Sequence, residues 1–146
     1  MPVFIKKTLI NAPLRVVFGF HEREDVLALL SPTFLPIRVL RRSGGIAAGA
    51  EIQLRMGIFH WLAAHTAYER DRFFVDEQIE GPFATWVHRH EFVSEGNKTT
   101  LTDRIEYRLK GGRLVNWLFG WLVNLGLGWM FSHRHRVTRR VCEAKG

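Results

Sequence analysis

From Phe34 to Leu109 the chain offers six consecutive strand-like segments, followed by a helical pattern that runs on without a break. Few architectures accept that order. Strands joined by short turns form an antiparallel meander, and a meander with an apolar face needs a cover. The last segment is the one helical stretch long enough to supply it.

The segments are set by alternation and turn residues. Phe34–Arg42 closes on Ser43-Gly44-Gly45, and Ala50–Gly57 alternates Ile52, Leu54 and Met56 with Glu51, Gln53 and Arg55. Trp61–Asp71 puts Trp61, Ala63, His65 and Ala67 on one face, and Phe73–Glu80 stops at Gly81-Pro82. Ala84–Val93 sets Trp86, His88, His90 and Phe92 against Thr85, Val87, Arg89 and Glu91. Thr99–Leu109 groups Leu101, Asp103, Ile105 and Tyr107. Upstream lies a further strand, Val3–Ile10. Asn11-Ala12-Pro13 then offers a capping residue and a first-turn proline, and Leu14, Val17, Phe18 and His21 follow at helical spacing. A second short helix, Glu24–Leu30, is stopped by Ser31-Pro32 because a residue before proline avoids the helical region.

After Gly111-Gly112, Leu114, Leu118, Leu122, Leu125 and Trp129 form an apolar stripe. Residues 114–131 reach the minimum length of a membrane span, but Asn116, Asn124 and three glycines interrupt them. The expectation is a core helix, with docking on a membrane surface through Trp117, Trp121 and the following arginines as the alternative. The fold class is therefore α+β, one domain over residues 1–146. A curved antiparallel sheet wraps the last helix and leaves a cavity of about 300 Å³ or more between them.

Composition narrows the function. Lys and Arg number 21 against 14 Asp and Glu, a formal charge of +7, with eleven Phe and five Trp. The clearest basic cluster is Arg134, Arg136, Arg139, Arg140 and Lys145, which suits either a solvated helix end or an anionic membrane surface. The basic residues show no aromatic stacking platform, which argues against nucleic acid. Cys142 is the single cysteine, so no intrachain disulfide forms. Met1-Pro2-Val3 runs straight into a strand pattern, which predicts a cytoplasmic protein, with attachment at the inner membrane face as the variant.

Four polar residues fall on the apolar face of the sheet: His65, His88, His90 and Asp103. Bare burial costs about 1–3 kcal/mol each, so they form a bonded network or line a polar patch of a cavity. The candidate catalytic groups are His88, His90 and Asp103, with a histidine as general base oriented by the carboxylate. A His-x-His pair also places two imidazoles on one face, but no further metal signature supports it, and no metal or cofactor is expected. No serine or cysteine sits in a nucleophile elbow. Parity leaves open whether Phe74, Asp76 and Gln78 or Val75, Glu77 and Ile79 face inward.

These residues also carry a resemblance. Ile10-Asn11-Ala12-Pro13 with Val17-Phe18 is similar to the strand-to-helix entry of the SRPBCC superfamily, the START-like helix-grip proteins. Phe74-Val75-Asp76-Glu77-Gln78, Gly81-Pro82-Phe83, Trp86, His88, His90, Phe92 and Thr100-Leu101-Thr102-Asp103 with Tyr107 resemble its bacterial ligand-binding branch, often labelled cyclase/dehydrase-like. Lys110-Gly111-Gly112 departs from that branch, whose members often turn here on a proline. The resemblance implies a seven-stranded START/Bet v 1-like sheet gripping the last helix around a hydrophobic tunnel.

The leading expectation is a module that binds an apolar small molecule or lipid and carries no defined catalysis. Its wall would come from Ile52, Leu54, Met56, Trp61, Trp86, Leu118, Leu122 and Trp129, with His65, His88, His90 and Asp103 as polar contacts. The alternatives are a polyketide cyclase or dehydratase (lyase-type) enzyme and a peripheral membrane lipid-binding protein docked through Arg134, Arg136, Arg139 and Arg140.

Overall fold

The computed structural model describes residues 2–145 except 33, 34 and 36, and of Lys145 only the backbone. Strand β1 spans Val3–Ile10, helices α1 and α2 span Leu14–His21 and Val26–Leu30, and six strands follow. These are β2 (Ile37–Ser43), β3 (Glu51–Met56), β4 (Phe59–Glu69), β5 (Phe73–Glu80), β6 (Phe83–Glu95) and β7 (Lys98–Leu109), before helix α3 (Gly112–Lys145). All seven strands join one antiparallel sheet in the order β1-β7-β6-β5-β4-β3-β2. The chain has the helix-grip fold of START and Bet v 1-like proteins.

The expected segments hold to within a few residues. The expected strand start at Phe34 lies outside the described residues, as does the side chain of Lys145. Helix α2 begins at Val26 rather than Glu24. Asn11 does not cap α1; Pro13 occupies the cap position, and the Asn11 backbone N–H donates to Glu143 at 2.9 Å.

The hydrophobic core divides in two. One cluster joins α1 and α2 to the sheet through Val17, Phe18, Phe20, Val26 and Leu30 against Phe74, Phe92 and Leu101, with Val137 and Cys142 from α3. The other sets Leu127 and Phe131 of α3 against Phe4, Trp61, Trp86, Ile105 and Tyr107.

The expectation for α3 needs correction. Its second half is core, with Phe131, His135, Val137, Thr138 and Cys142 buried, but the stripe Leu114, Leu118, Leu122, Leu125 and Trp129 faces solvent. The sheet takes another side of the helix. Leu109 N–H donates to Asn116 Oδ1 at 2.8 Å, and Asn116 Nδ2 donates back to Leu109 O at 3.0 Å. Tyr107 Oη lies 3.0 Å from Gly120 O and 2.8 Å from Asn124 Oδ1. Hydrogen-bonding side chains and a bare glycine backbone dock that half of α3, so the apolar stripe is left outside.

The turn into α3 depends on glycine. Gly111 has φ 107°, and a Cβ there would stand 2.7 Å from Val115 Cγ2. Gly111→Ala is expected to lower unfolding free energy by about 1–3 kcal/mol in urea titration. An unchanged midpoint would contradict the close approach.

Candidate functional site

Alternation and register bring distant residues together. On β5 and β6, Asp76 pairs with His88 and Phe74 with His90, while β4 sets His65 opposite Asp76 beside a register shift. On the other side of β6, His90 pairs with Asp103 of β7. Side chains at these positions share one face of the sheet.

Asp103 is the hub. It is buried and accepts from His88 Nε2 at 2.7 Å on one oxygen and from His135 Nε2 at 2.5 Å on the other, while His90 Nδ1 stands 3.1 Å away. Asp76 accepts from His90 Nε2 at 2.9 Å, with His88 Nδ1 3.8 Å distant. Thr8 Oγ1 lies 2.7 Å from His135 Nδ1, tying the cluster to β1. The His88 and His90 rings stack at 3.7 Å, and His90 stacks on Phe74 at 3.9 Å.

Charge follows from these contacts. Burial opposes a proton on His90, but the carboxylates of Asp103 and Asp76 outweigh it and raise the ring to about 9. Burial and the neighbouring His90 cation lower His88, against the pull of Asp103. Burial would raise both carboxyls, yet the histidines hold Asp76 below its ordinary value and Asp103 well below it. Burial lowers His65 as well, and takes His21 down to about 4 even though its Nδ1 lies 2.9 Å from Val17 O. The arrangement is a protonated imidazole between two carboxylates, stacked on a neutral one.

The pH dependence has two limbs. His90 is raised from 6.5 to about 9, so its contribution is complete below pH 6.5 and is lost as pH rises through about 9. His21 is lowered from 6.5 to about 4, so folding weakens as pH falls from 6.5 towards 4. The urea midpoint should therefore peak near pH 6.5, each limb approaching about 3 kcal/mol. His90→Gln should flatten the alkaline limb; a limb that survived the substitution would show that His90 is not the group responsible.

Asp76, His88 and His90 each offer a ligand atom, all within 4.8 Å of one another. A metal lies in the plane of each coordinating imidazole, however, and these two rings stack face to face with 29° between their planes.

A cavity of about 250 Å³ lies between the sheet and α3. Ile52, Leu54, Met56, Trp61, Ala63, Phe83 and Trp86 form its sheet side, Val26, Leu27 and Leu30 line it from α2, and Leu127, Met130 and Phe131 from α3. Trp61, Phe83 and Trp86 build an aromatic corner, with Trp61 edge-on to Trp86 at 5.1 Å. Its polar residues are His21, His65, Asp76, His88, His90, Arg42 and Arg134.

Of the residues expected on the wall, Ile52, Leu54, Met56, Trp61, His65, Trp86, His88 and His90 are there. Leu118, Leu122 and Trp129 are not, because they lie on the solvent side of α3. Asp103 is not on the wall either; it sits behind the histidines and fixes them. The volume, about 250 Å³, is smaller than the expected 300 Å³.

Arg134 is a further correction. It is half-buried, lines the cavity and stands 5.1 Å over the Phe131 ring, so it leaves the exposed basic cluster. Burial lowers its pKa, against the pull of Asp103 and Asp76. Parity had left Asp76 open, and its triplet faces inward: Phe74 and Asp76 line the cavity and Gln78 bonds the Phe83 backbone. His135 was missed, although Leu127, Phe131, His135, Thr138 and Cys142 trace a second helical stripe with a histidine in it.

The profile of the family described as polyketide cyclase / dehydrase and lipid transport matches residues 10–131. No curated protein matches the sequence. Among solved structures, a protein from Thermus thermophilus superposes with TM-score 0.76 at 18% identity, covering 99% of both chains. A START superfamily protein from Mycobacterium smegmatis gives 0.71 at 14% identity, again over 99% of each. Norcoclaurine synthase from Thalictrum flavum, in complex with dopamine and hydroxybenzaldehyde, gives 0.70 at 14%, covering 99% of this chain and 88% of that one. At these identities the structures speak for the fold, and the matched profile, which spans most of the sequence, carries the assignment: the chain belongs to the polyketide cyclase / dehydrase and lipid transport family.

Proposed function

We propose that the protein binds a small apolar molecule of one or two rings in the cavity between sheet and α3, held by the aromatic corner and oriented by His88, His90 and Asp76. The carrying observation is the cavity itself: about 250 Å³, apolar on most sides, with one cluster of polar groups. An apolar cavity of about 150 Å³ holds benzene, so this one admits a larger ring system but not a long lipid chain. The synthase with the same fold was solved with two single-ring molecules, which is the size class proposed. Native mass spectrometry of gently purified protein should show a small adduct. Bare protein that also fails to take up added naphthol-sized compounds would count against the reading.

A second reading, acid–base catalysis, is favoured by the stacked pair on the wall. His88, kept neutral, can accept a proton, while the charged His90 stacks on it with both nitrogens turned to Asp76 and Asp103. In a cyclase or dehydratase His88 would be the base, and His90 the neighbouring cation that keeps it neutral. His88→Ala should then abolish turnover while ligand binding persists; equal loss of both would leave binding as the role.

A further inference from the structure

From Tyr107 to Cys142 the chain contains no Asp or Glu. In the same stretch Arg108, Lys110, Arg113, Arg136, Arg139 and Arg140 are exposed. Between these cations, α3 turns a broad apolar surface outward: Leu114, Trp117, Leu118, Trp121, Leu122 and Leu125. Trp117 is 77% exposed, Trp121 62% and Leu125 63%. A soluble monomer rarely leaves a contiguous apolar patch of this kind uncovered.

We propose that this face of α3 docks on the surface of an anionic lipid bilayer, lying in the plane of the membrane with its tryptophans at headgroup depth and its cations against lipid phosphates. Charge selects the occupant. A second copy would bring another molecule of +7 against the same acid-free segment, and like charges facing each other across a contact are unfavourable. An anionic membrane complements both halves of the surface, with apolar area for the acyl boundary and cations for the headgroups. Helix α3 is long and apolar enough to span a bilayer, but in the docked state proposed here it lies along the surface. Asn116, Gly120, Asn124 and Phe131 hold its other side to the sheet, and leaving it would break the bonds to Leu109 and Tyr107. The docked face is separate from the cavity wall, so this role stands whether or not the cavity takes a ligand.

The test is co-sedimentation of the full chain with vesicles of phosphatidylcholine alone and of phosphatidylcholine with phosphatidylglycerol. Binding is expected to the anionic vesicles at low salt, weakening at least about tenfold near 0.5 M salt. Trp121→Glu with Leu125→Glu should remove binding to the anionic vesicles without changing the thermal melt, since both positions are exposed. Replacing Arg136, Arg139 and Arg140 by Gln should weaken that binding and reduce its dependence on salt. The proposal is overturned if the wild type stays in the supernatant with both vesicles. It is also overturned if the wild type is a dimer that the two glutamates split, because a second copy then covers the face.

Discussion

Asp103→Asn should lower the unfolding free energy by about 3 kcal/mol or more, a larger effect than any other single polar substitution in the sheet. Two opposing terms set the sign. Removing the carboxylate relieves the cost of burying a charge, which by itself would stabilise the fold. It also leaves His88, His90 and His135 facing a neutral amide, and one amide oxygen cannot accept from all three. The second term wins because the partners stay behind: breaking one side of a buried ionic cluster typically costs about 3–5 kcal/mol. His90 should lose part of its elevation, since only Asp76 would remain to hold its proton. Urea unfolding reads the first effect, and the histidine ring signals in an NMR pH titration read the second. A variant within about 1 kcal/mol of wild type, with His90 still titrating near 9, would mean that Asp103 is not the hub.

Ala63→Phe is expected to abolish binding of a naphthol-sized probe while leaving the fold intact. Ala63 is buried and lines the cavity between Trp61 and His65, so a phenyl ring there points into the empty volume. Filling existing space avoids the strain of overpacking, which otherwise costs about 1–3 kcal/mol. Stability should hold or rise slightly as apolar area is buried, and probe affinity should fall at least about a hundredfold, equivalent to about 2.7 kcal/mol. Tryptophan quenching is a direct reading because Trp61 and Trp86 form the wall. Undiminished quenching in the variant would place the probe elsewhere.

Sheet and site differ in how far they could be read from the chain. The sheet was legible because each strand carries its own two-residue alternation, bounded by turn glycines such as Gly44-Gly45 and by Gly81-Pro82. His65, His88, His90 and Asp103 stood out for the same reason, as polar residues of inward parity. Their partners did not. His135 lies on another element, and its contact with Asp103 spans 32 residues, which no local pattern encodes. Arg134 looked like one more member of a basic tail, and only the turn of the helix sends it over Phe131.

The misreading of α3 has a clear physical origin. Its strongest apolar stripe, Leu114 to Trp129, was assigned to the core on hydrophobicity. The sheet instead binds the side bearing Asn116, Gly120 and Asn124, where specific hydrogen bonds to Leu109 and Tyr107 are available. Hydrophobic periodicity finds an apolar face, but it does not say what that face meets.

A crystal structure of the protein soaked with 4-bromophenol tests the central claim most directly, because the anomalous signal of bromine locates the ring without ambiguity. The account predicts the bromine in the aromatic corner of Trp61, Phe83 and Trp86, beneath Leu127 and Phe131, with the phenol oxygen towards His88 and His90. Bromine bound only on the outer surface, with the space beneath α3 closed by side chains, would contradict it.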